Sequence, residues 1–269
     1  MANSASGESM ISRVARVVAA LDDDHPGLTV SGLAEVTHLP IATTHRIVRD
    51  LVDIGWVHKD ADGRVRLGLR LWEIVNRGSV ARELRTVARP YMEDVHSVVK
   101  QHTQLGILED GDVLFLECFS RRGSVDNAVT VAGRLPAHIS SAGLVIMAFA
   151  PPAAQEVFLR ANAMLVPDLR GRLEQIRRNG YAVVDGMLHA NTSGIAVPIW
   201  DKSKFSVAAL SVVVPRDPAE VNLAVPALLI AARGISRELG FRDPQRREAY
   251  AHEAATNPRN YQSMERRAG

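Results

Sequence analysis

The chain of 269 residues contains one cysteine, Cys118, set in the apolar run LFLECF. One thiol excludes a disulfide framework and paired thiols for zinc or redox chemistry, and it suits a reducing cytoplasm. No stretch reaches the roughly 18 consecutive apolar residues needed to cross a bilayer. The start, MANSASGESM, has neither a charged n-region nor an apolar h-region, so the expectation is a soluble protein that is not exported and has no membrane partner. None of the nine histidines forms HExxH or another metal-ligand spacing, and no Walker or dinucleotide glycine loop occurs. The expectation is therefore no metal and no cofactor. Internal repeats are absent too, and the low-order candidates are the first eight residues and the polar tail from Pro244 onward.

What is present is a length sufficient for two domains and an apolar content of 46 %, that of an ordinary folded protein. Met10, Val14, Val17, Val18 and Leu21 form one helical face, and His25-Pro26-Gly27 closes that segment. Val30, Leu33, Ala34 and Val36 then recur at helical spacing behind Thr29, a suitable N-cap, and this helix ends near Thr37. His38-Leu39-Pro40 connects it to the next, where Thr44, Ile47, Val48 and Leu51 make the inward stripe. The outward face carries Ala42, Thr43, His45, Arg46 and Arg49.

A helix that enters the major groove needs small or hydrogen-bonding residues at its start and long cations to reach phosphates or guanine edges. That face meets the demand. Gly55 stops the helix, and Trp56 to His58 leads through Lys59-Asp60-Ala61-Asp62-Gly63 to Arg64–Leu67, a hairpin signal. Lys59, Arg64 and Arg66 stand where such a wing would touch the phosphate backbone. The alternative is a helical hairpin capping another domain, with Arg46 and Arg49 on an ordinary solvated face. Residues 1–78 hold nine Lys plus Arg against ten Asp plus Glu, so bulk charge does not favour binding. The cations must be concentrated on one face, with Asp22 to Asp24 turned away, and dimerisation must raise the affinity.

Leu69 to Arg77 and Ala81 to Gln101 read as helices broken near Gly78-Ser79, the second with Pro90 inside it and able to kink it. From Thr103 the period becomes two: TQLGILE, Asp110-Gly111-Asp112, VLFLECF. Further strands are expected at Asn127–Ala132, Ile195–Trp200 and Phe205–Val214, with helices near 142–149, 152–162, 169–178 and 218–239. This order predicts an α+β domain with its helices on one face of an antiparallel sheet and the other face free to form a pocket.

The text SRVARVVAAL, then LTVSGLAEVTHLPIATTHRIVRDLVDIGWVHKDADGRVRLGLRLWEI, then GRLPAHISSAG, IRRNGYAVVDG, GIAVPIW and AALSVVVP resembles the IclR-type bacterial transcriptional regulators from about Met10 to about Phe241. The resemblance implies a winged helix-turn-helix at 9–70, linker helices at 71–101, a GAF-like effector-binding and oligomerisation domain at 102–242, and a polar tail at 243–269. It also implies a homodimer or dimer of dimers on palindromic operator DNA, controlled by a small organic effector, most readily as a catabolic repressor and alternatively as an activator. Carried over by position, the effector pocket falls on Ser141 and Ala142, on Val184 or Asp185, on Thr192 and Gly194, and on Ser211 and Val213. Ala142 and Gly143 open a predicted helix whose free N–H groups can hold a carboxylate.

Three departures from the family pattern stand out. Many members have cysteine at Gly194, lysine at Leu144, and acids where this chain has Val183-Val184-Asp185-Gly186-Met187. They predict a roomier, more apolar pocket for an aromatic or amphipathic acid, amide or related catabolite, with Asp185 as the nearby charge. Two rival readings come from other classes. Cys118, His138 and Asp185 could supply nucleophile, base and orienter, but Cys118 is expected in the core and His138 in a structural turn. A pure interaction module is the other, in which the second domain only dimerises. Helix 218–239 is apolar on more than one face, through Val221, Leu223, Val225, Leu228, Leu229, Ala232 and Ile235, which suits core packing and could feed an interface.

Overall fold

The computed structural model describes residues 8–22, 24–78, 80–203 and 205–241. The tail beyond Pro244, Asp23 and Ser79 therefore lie outside the described residues. The chain divides into two compact units after Arg82.

In the N-terminal unit, Ser9 caps α1 (Met10–Ala19) by accepting the Ser12 N–H at 3.0 Å. Thr29 caps α2 (Val30–Thr37) through the Gly32 N–H at 3.1 Å. His38 ends α2 in the left-handed conformation, φ 54°, which turns the chain sharply into α3 (Ile41–Asp53). Pro40 is the residue just outside α3. Strands β1 (Val57–Lys59) and β2 (Val65–Leu67) form the antiparallel wing, extended by a bridge from Leu28 to Val65. Val17, Leu33, Ile47, Val48, Leu51, Val57 and Val65 pack into one core, so three helices and the wing fold as a unit. Helix α4 (Leu69–Gly78) follows directly.

The C-terminal unit takes up α5 (Val80–Val99) from Glu83, and the helix continues through Pro90. Strands β3 (His102–Glu109) and β4 (Asp112–Phe119) are joined at Asp110 (φ 53°) and Gly111 (φ 86°), both left-handed, the pairing a two-residue hairpin turn needs. Then come β5 (Arg134–Pro136), α6 (Ser141–Ala148), α7 (Pro152–Asn162), α8 (Leu169–Asn179), β6 (Ala182–Asp185), β7 (Thr192–Trp200), β8 (Ser206–Pro215) and α9 (Pro218–Glu238). The sheet runs β5-β4-β3-β8-β7-β6, every neighbouring pair antiparallel.

Two expectations need correction. Residues 127–132 form no strand: the Asn127 amide donates to the Val129 carbonyl at 2.6 Å, a local bond that competes with sheet pairing, and Ala132 is left-handed at φ 65°. The edge strand is instead β5, and β6 is a short strand that alternation alone did not reveal. Nor do the helices share one face. Val184, Ala196 and Ala209 point toward α6, while α9 packs on β7 and β8 from the other side. Helix α5 shares that second side: Arg85 reaches Glu117 of β4 at 3.0 Å, and the Tyr91 hydroxyl donates to Glu238 of α9 at 2.6 Å. By length and composition α9 could cross a membrane, but it buries Leu228, Ala232 and Ile235 in this layer and is a core helix.

Gly68 ties the wing to α4. A Cβ there would lie 2.3 Å from the Gly55 carbonyl oxygen, although the backbone itself is not left-handed. The Gly68→Ala chain is therefore expected to lose about 1–3 kcal/mol by overpacking alone. Chemical denaturation followed by the fluorescence of Trp56 would show it, and an unchanged midpoint would refute the close approach.

Candidate functional site

The first site is the outward face of α3. Thr44, Ile47, Val48 and Leu51 are buried, which fixes the helix's rotation and turns Ala42, His45, Arg46 and Arg49 to solvent, with Thr43 half-buried. Arg49 lies 3.4 Å from the Asp50 carboxylate, both exposed, a pairing weak enough to exchange for a phosphate. Lys59 stands exposed at the end of β1. Among the described residues Arg46, Lys59 and Arg64 have no ion pair.

The wing arginines divide their roles. Arg66 donates to the Asp60 carboxylate at 2.7 Å and to the Pro26 carbonyl at 3.3 Å, so it braces the wing. Arg64 donates to the Gly27 carbonyl at 3.1 Å but remains exposed. Asp60 also accepts the backbone N–H groups of Arg64 and Asp62 at 2.9 and 3.1 Å. The Arg66 guanidinium first, and then the Arg64 N–H, hold its carboxyl below the usual range. Sequence alone suggested Arg66 as a phosphate contact and gave Asp60 no role.

The second site is a cavity of about 490 Å³, its open mouth included, between α6 and the sheet. Phe115, Val129, Leu135 and Val184 make apolar walls, and Gln104, Asn127, Ser140 and His189 add polar groups. It brings together Ser141, Ala142, Thr192, Gly194, Ser211 and Val213. Asp185 does not line it. Strand alternation turns Val184 in and Asp185 out, where its carboxylate accepts the Ser193 hydroxyl at 2.5 Å. The carboxylate that does line the cavity is Asp126.

Local chemistry sets the polar end. Ser140 caps α6, its hydroxyl accepting the Gly143 N–H at 2.9 Å and its carbonyl the Leu144 N–H at 3.0 Å. Helix geometry leaves the N–H groups of Ser141 and Ala142 without an intrahelical acceptor. Among the described residues the buried Ser211 hydroxyl and His189 Nε2 have no hydrogen-bond partner, and Ser211 is only 2 % exposed. An unmet buried hydroxyl is costly, and a polar ligand would satisfy it. Gln104 and His102 of β3 tie a covering segment down: Gln104 donates to Asn127 at 3.0 Å, and the His102 ring bridges Ser120 at 2.8 Å and the Val125 carbonyl at 2.6 Å. Gln104, Asn127, Asp126 and His189 were missed from sequence. A glutamine at an inward strand position was the one available signal. Cys118, half-buried, has its thiol pushed up to about 11 by burial, and Asp185 faces elsewhere, so the nucleophile reading has no assembled group.

Fold and sites together define a winged helix-turn-helix DNA-binding protein with a second, cavity-bearing domain. Residues 10–61 match the IclR helix-turn-helix domain and residues 79–237 the bacterial transcriptional regulator IclR C-terminal domain. The chain belongs to the IclR family, and it is a transcriptional regulator, not an enzyme. It is 42 % identical to an IclR homolog from Microbacterium hydrocarbonoxydans whose crystal structure holds 4-hydroxybenzoate, covering 86 % of this chain and 99 % of that one with a TM-score of 0.79. An IclR homolog from Microbacterium sp. strain HM58-2 is 39 % identical over 88 % of this chain and 100 % of that one, TM-score 0.54. The Pca regulon regulatory protein of Pseudomonas putida is 26 % identical over 85 % of this chain and 83 % of its own.

Two outcomes follow from these geometries. Asp60→Asn removes a negative charge, so bulk electrostatics alone would strengthen DNA binding. Loss of the wing brace should instead weaken it, and electrophoretic mobility shifts at fixed salt read the sign. The brace is complete above the carboxyl's ordinary value of 3.8 and is lost as pH falls through the lower folded value. In α6, a Cβ at Gly143 would lie 2.3 Å from the Ala137 carbonyl oxygen. Gly143→Ala gains about 1 kcal/mol in helix propensity yet should still lower the C-terminal unit's unfolding midpoint, because the clash costs about 1–3 kcal/mol or more. A raised midpoint in calorimetry would refute the contact.

Proposed function

We propose that this regulator binds a palindromic operator as a homodimer or dimer of dimers in the cytoplasm, and that a small aromatic acid in the C-terminal cavity changes its operator affinity. Repression of a catabolic operon is the mode this reading favours. The observation that carries it is the cavity's mixed lining: apolar walls together with the N-terminus of α6 and a buried Ser211 hydroxyl that has no hydrogen-bond partner among the described residues. A helix N-terminus supplies positive potential for a carboxylate without a lysine or arginine in the wall. The relative that holds 4-hydroxybenzoate supports the ligand class, as it shares this fold at 42 % identity.

On DNA, Ala42, Thr43, His45, Arg46 and Arg49 would meet base edges and the nearest phosphates, while Lys59 and Arg64 would meet the backbone beside them. Selection of genomic fragments with the full chain supplies the operator. Lys59→Ala is then expected to weaken binding evenly across sequences and to reduce the salt slope by about 1, whereas Arg46→Ala should also relax base preference. Titration calorimetry with 4-hydroxybenzoate, benzoate and 4-hydroxybenzamide, on the wild type and on Ser141→Ala and Ser211→Ala, tests the effector site. Wild-type binding that weakens in both variants, with operator affinity shifted by the same ligand, is the expected result. Binding untouched by either substitution would overturn the site.

A further inference from the structure

The floor of the cavity beneath the start of α6 is a row of three paired residues, Val184 of β6, Gly194 of β7 and Val213 of β8. A glycine in the middle of a central strand weakens it, so the position calls for a reason. Backbone conformation is not the reason, because Gly194 is not left-handed and any residue could adopt its place in β7. Close approach of main chains is not the reason either: the nearest backbone atom to a Cβ there would be the Val184 carbonyl oxygen at 3.9 Å, an ordinary contact. What a Cβ would meet is Ser141, its Oγ at 3.1 Å and its Cβ at 3.7 Å. Among the described residues the Ser141 hydroxyl makes no hydrogen bond, and Ser211, on the same strand as Val213, presents a second buried hydroxyl with none.

We infer that Gly194 is a specificity-determining residue of the ligand cavity: its missing side chain leaves the Ser141 hydroxyl free to turn to a head group at the N-terminus of α6. The inference rests on the effector reading above and adds a steric selection to it. A single methyl at this point pushes the Ser141 hydroxyl away from where a carboxylate or amide would meet it. The strand itself tolerates the methyl, so binding changes while folding does not.

The test uses the full chain in four forms, wild type, Gly194→Ala, Ser141→Ala and the double variant, titrated with 4-hydroxybenzoate by calorimetry, with thermal unfolding of each in the absence of ligand. One misplaced methyl in a pocket is worth about tenfold or more, so Gly194→Ala should bind at least about tenfold more weakly, with an unliganded midpoint no lower than the wild type's. Because the methyl acts through Ser141, the double variant should bind no more weakly than Ser141→Ala alone. Equal affinity of Gly194→Ala and wild type would overturn the inference and leave the effector reading standing. Additive losses in the double variant, or a lowered midpoint that accounts for the weaker binding, would overturn it as well. If the wild type itself does not bind 4-hydroxybenzoate, the effector reading fails for this ligand class and the inference falls with it.

Discussion

The close seating of α6 on the turn before it governs most of the C-terminal unit. At Gly143 a Cβ would meet the Ala137 carbonyl oxygen at 2.3 Å and its Cα at 2.4 Å, so only hydrogen fits between helix and turn. The seating brings the first turn of α6 over the sheet, and every residue from Ser141 to Ala148 is buried. A helix buried on all sides has no solvated face to supply water to its first N–H groups, and Ser140 satisfies only part of that need. The cavity sits at the remaining deficit. Its polar end is thus a consequence of packing a helix N-terminus against a sheet.

The same unit is tied together on its opposite face by charge rather than by close backbone contact. Glu117, 7 % exposed on β4, accepts from Arg85 of α5, and the Arg89 guanidinium lies 5.5 Å from the centre of the Phe119 ring. Glu117 also lies 3.9 Å from Arg89 of α5, so two arginines compensate a nearly buried carboxylate that would be costly to leave unpaired. The strand that lines the cavity with Phe115 is therefore the strand that holds α5 with Glu117, two residues away and on the other face. Cavity floor and helix anchor share one piece of backbone.

Much of this was legible in the sequence because its signals are local. Thr29 before an apolar period, Asp110-Gly111 between alternating runs and the stripe Thr44, Ile47, Val48, Leu51 each name a structure without reference to the rest of the chain. The segment 127–132 misled because its β-branched residues suit a strand, whereas Asn127 is held by side-chain bonds to Gln104 and to the segment's own backbone, and only Ala132 at the far end donates its N–H to the Phe115 carbonyl of β4. Asp185 misled for a related reason: a one-residue choice in a four-residue strand decides which side chain faces the cavity, and neither periodicity nor a motif resolves it. Gln104, Asn127 and His189 meet only through the tertiary fold. No spacing could have joined residues 104, 127 and 189.

Charge in the N-terminal unit follows a similar division between what composition and arrangement can say. Nine cations against ten acids would suggest a surface indifferent to DNA. Arrangement alters the sum. Glu8 pairs with Arg13 and Arg16, Glu73 with Arg70 and Arg77, and Asp60 with Arg66, so three acids are spent on five arginines within the unit. Arg46 on α3, with Lys59 and Arg64 on the wing, keeps its charge unpaired on the elements that we assign to DNA. The pairing takes up more cations than acids, so the position of these three on α3 and the wing, not any excess of charge, is what makes them available to a duplex. A protein that must find one operator among many competing sites gains from that economy, since its non-specific affinity stays low while its oriented contacts remain available.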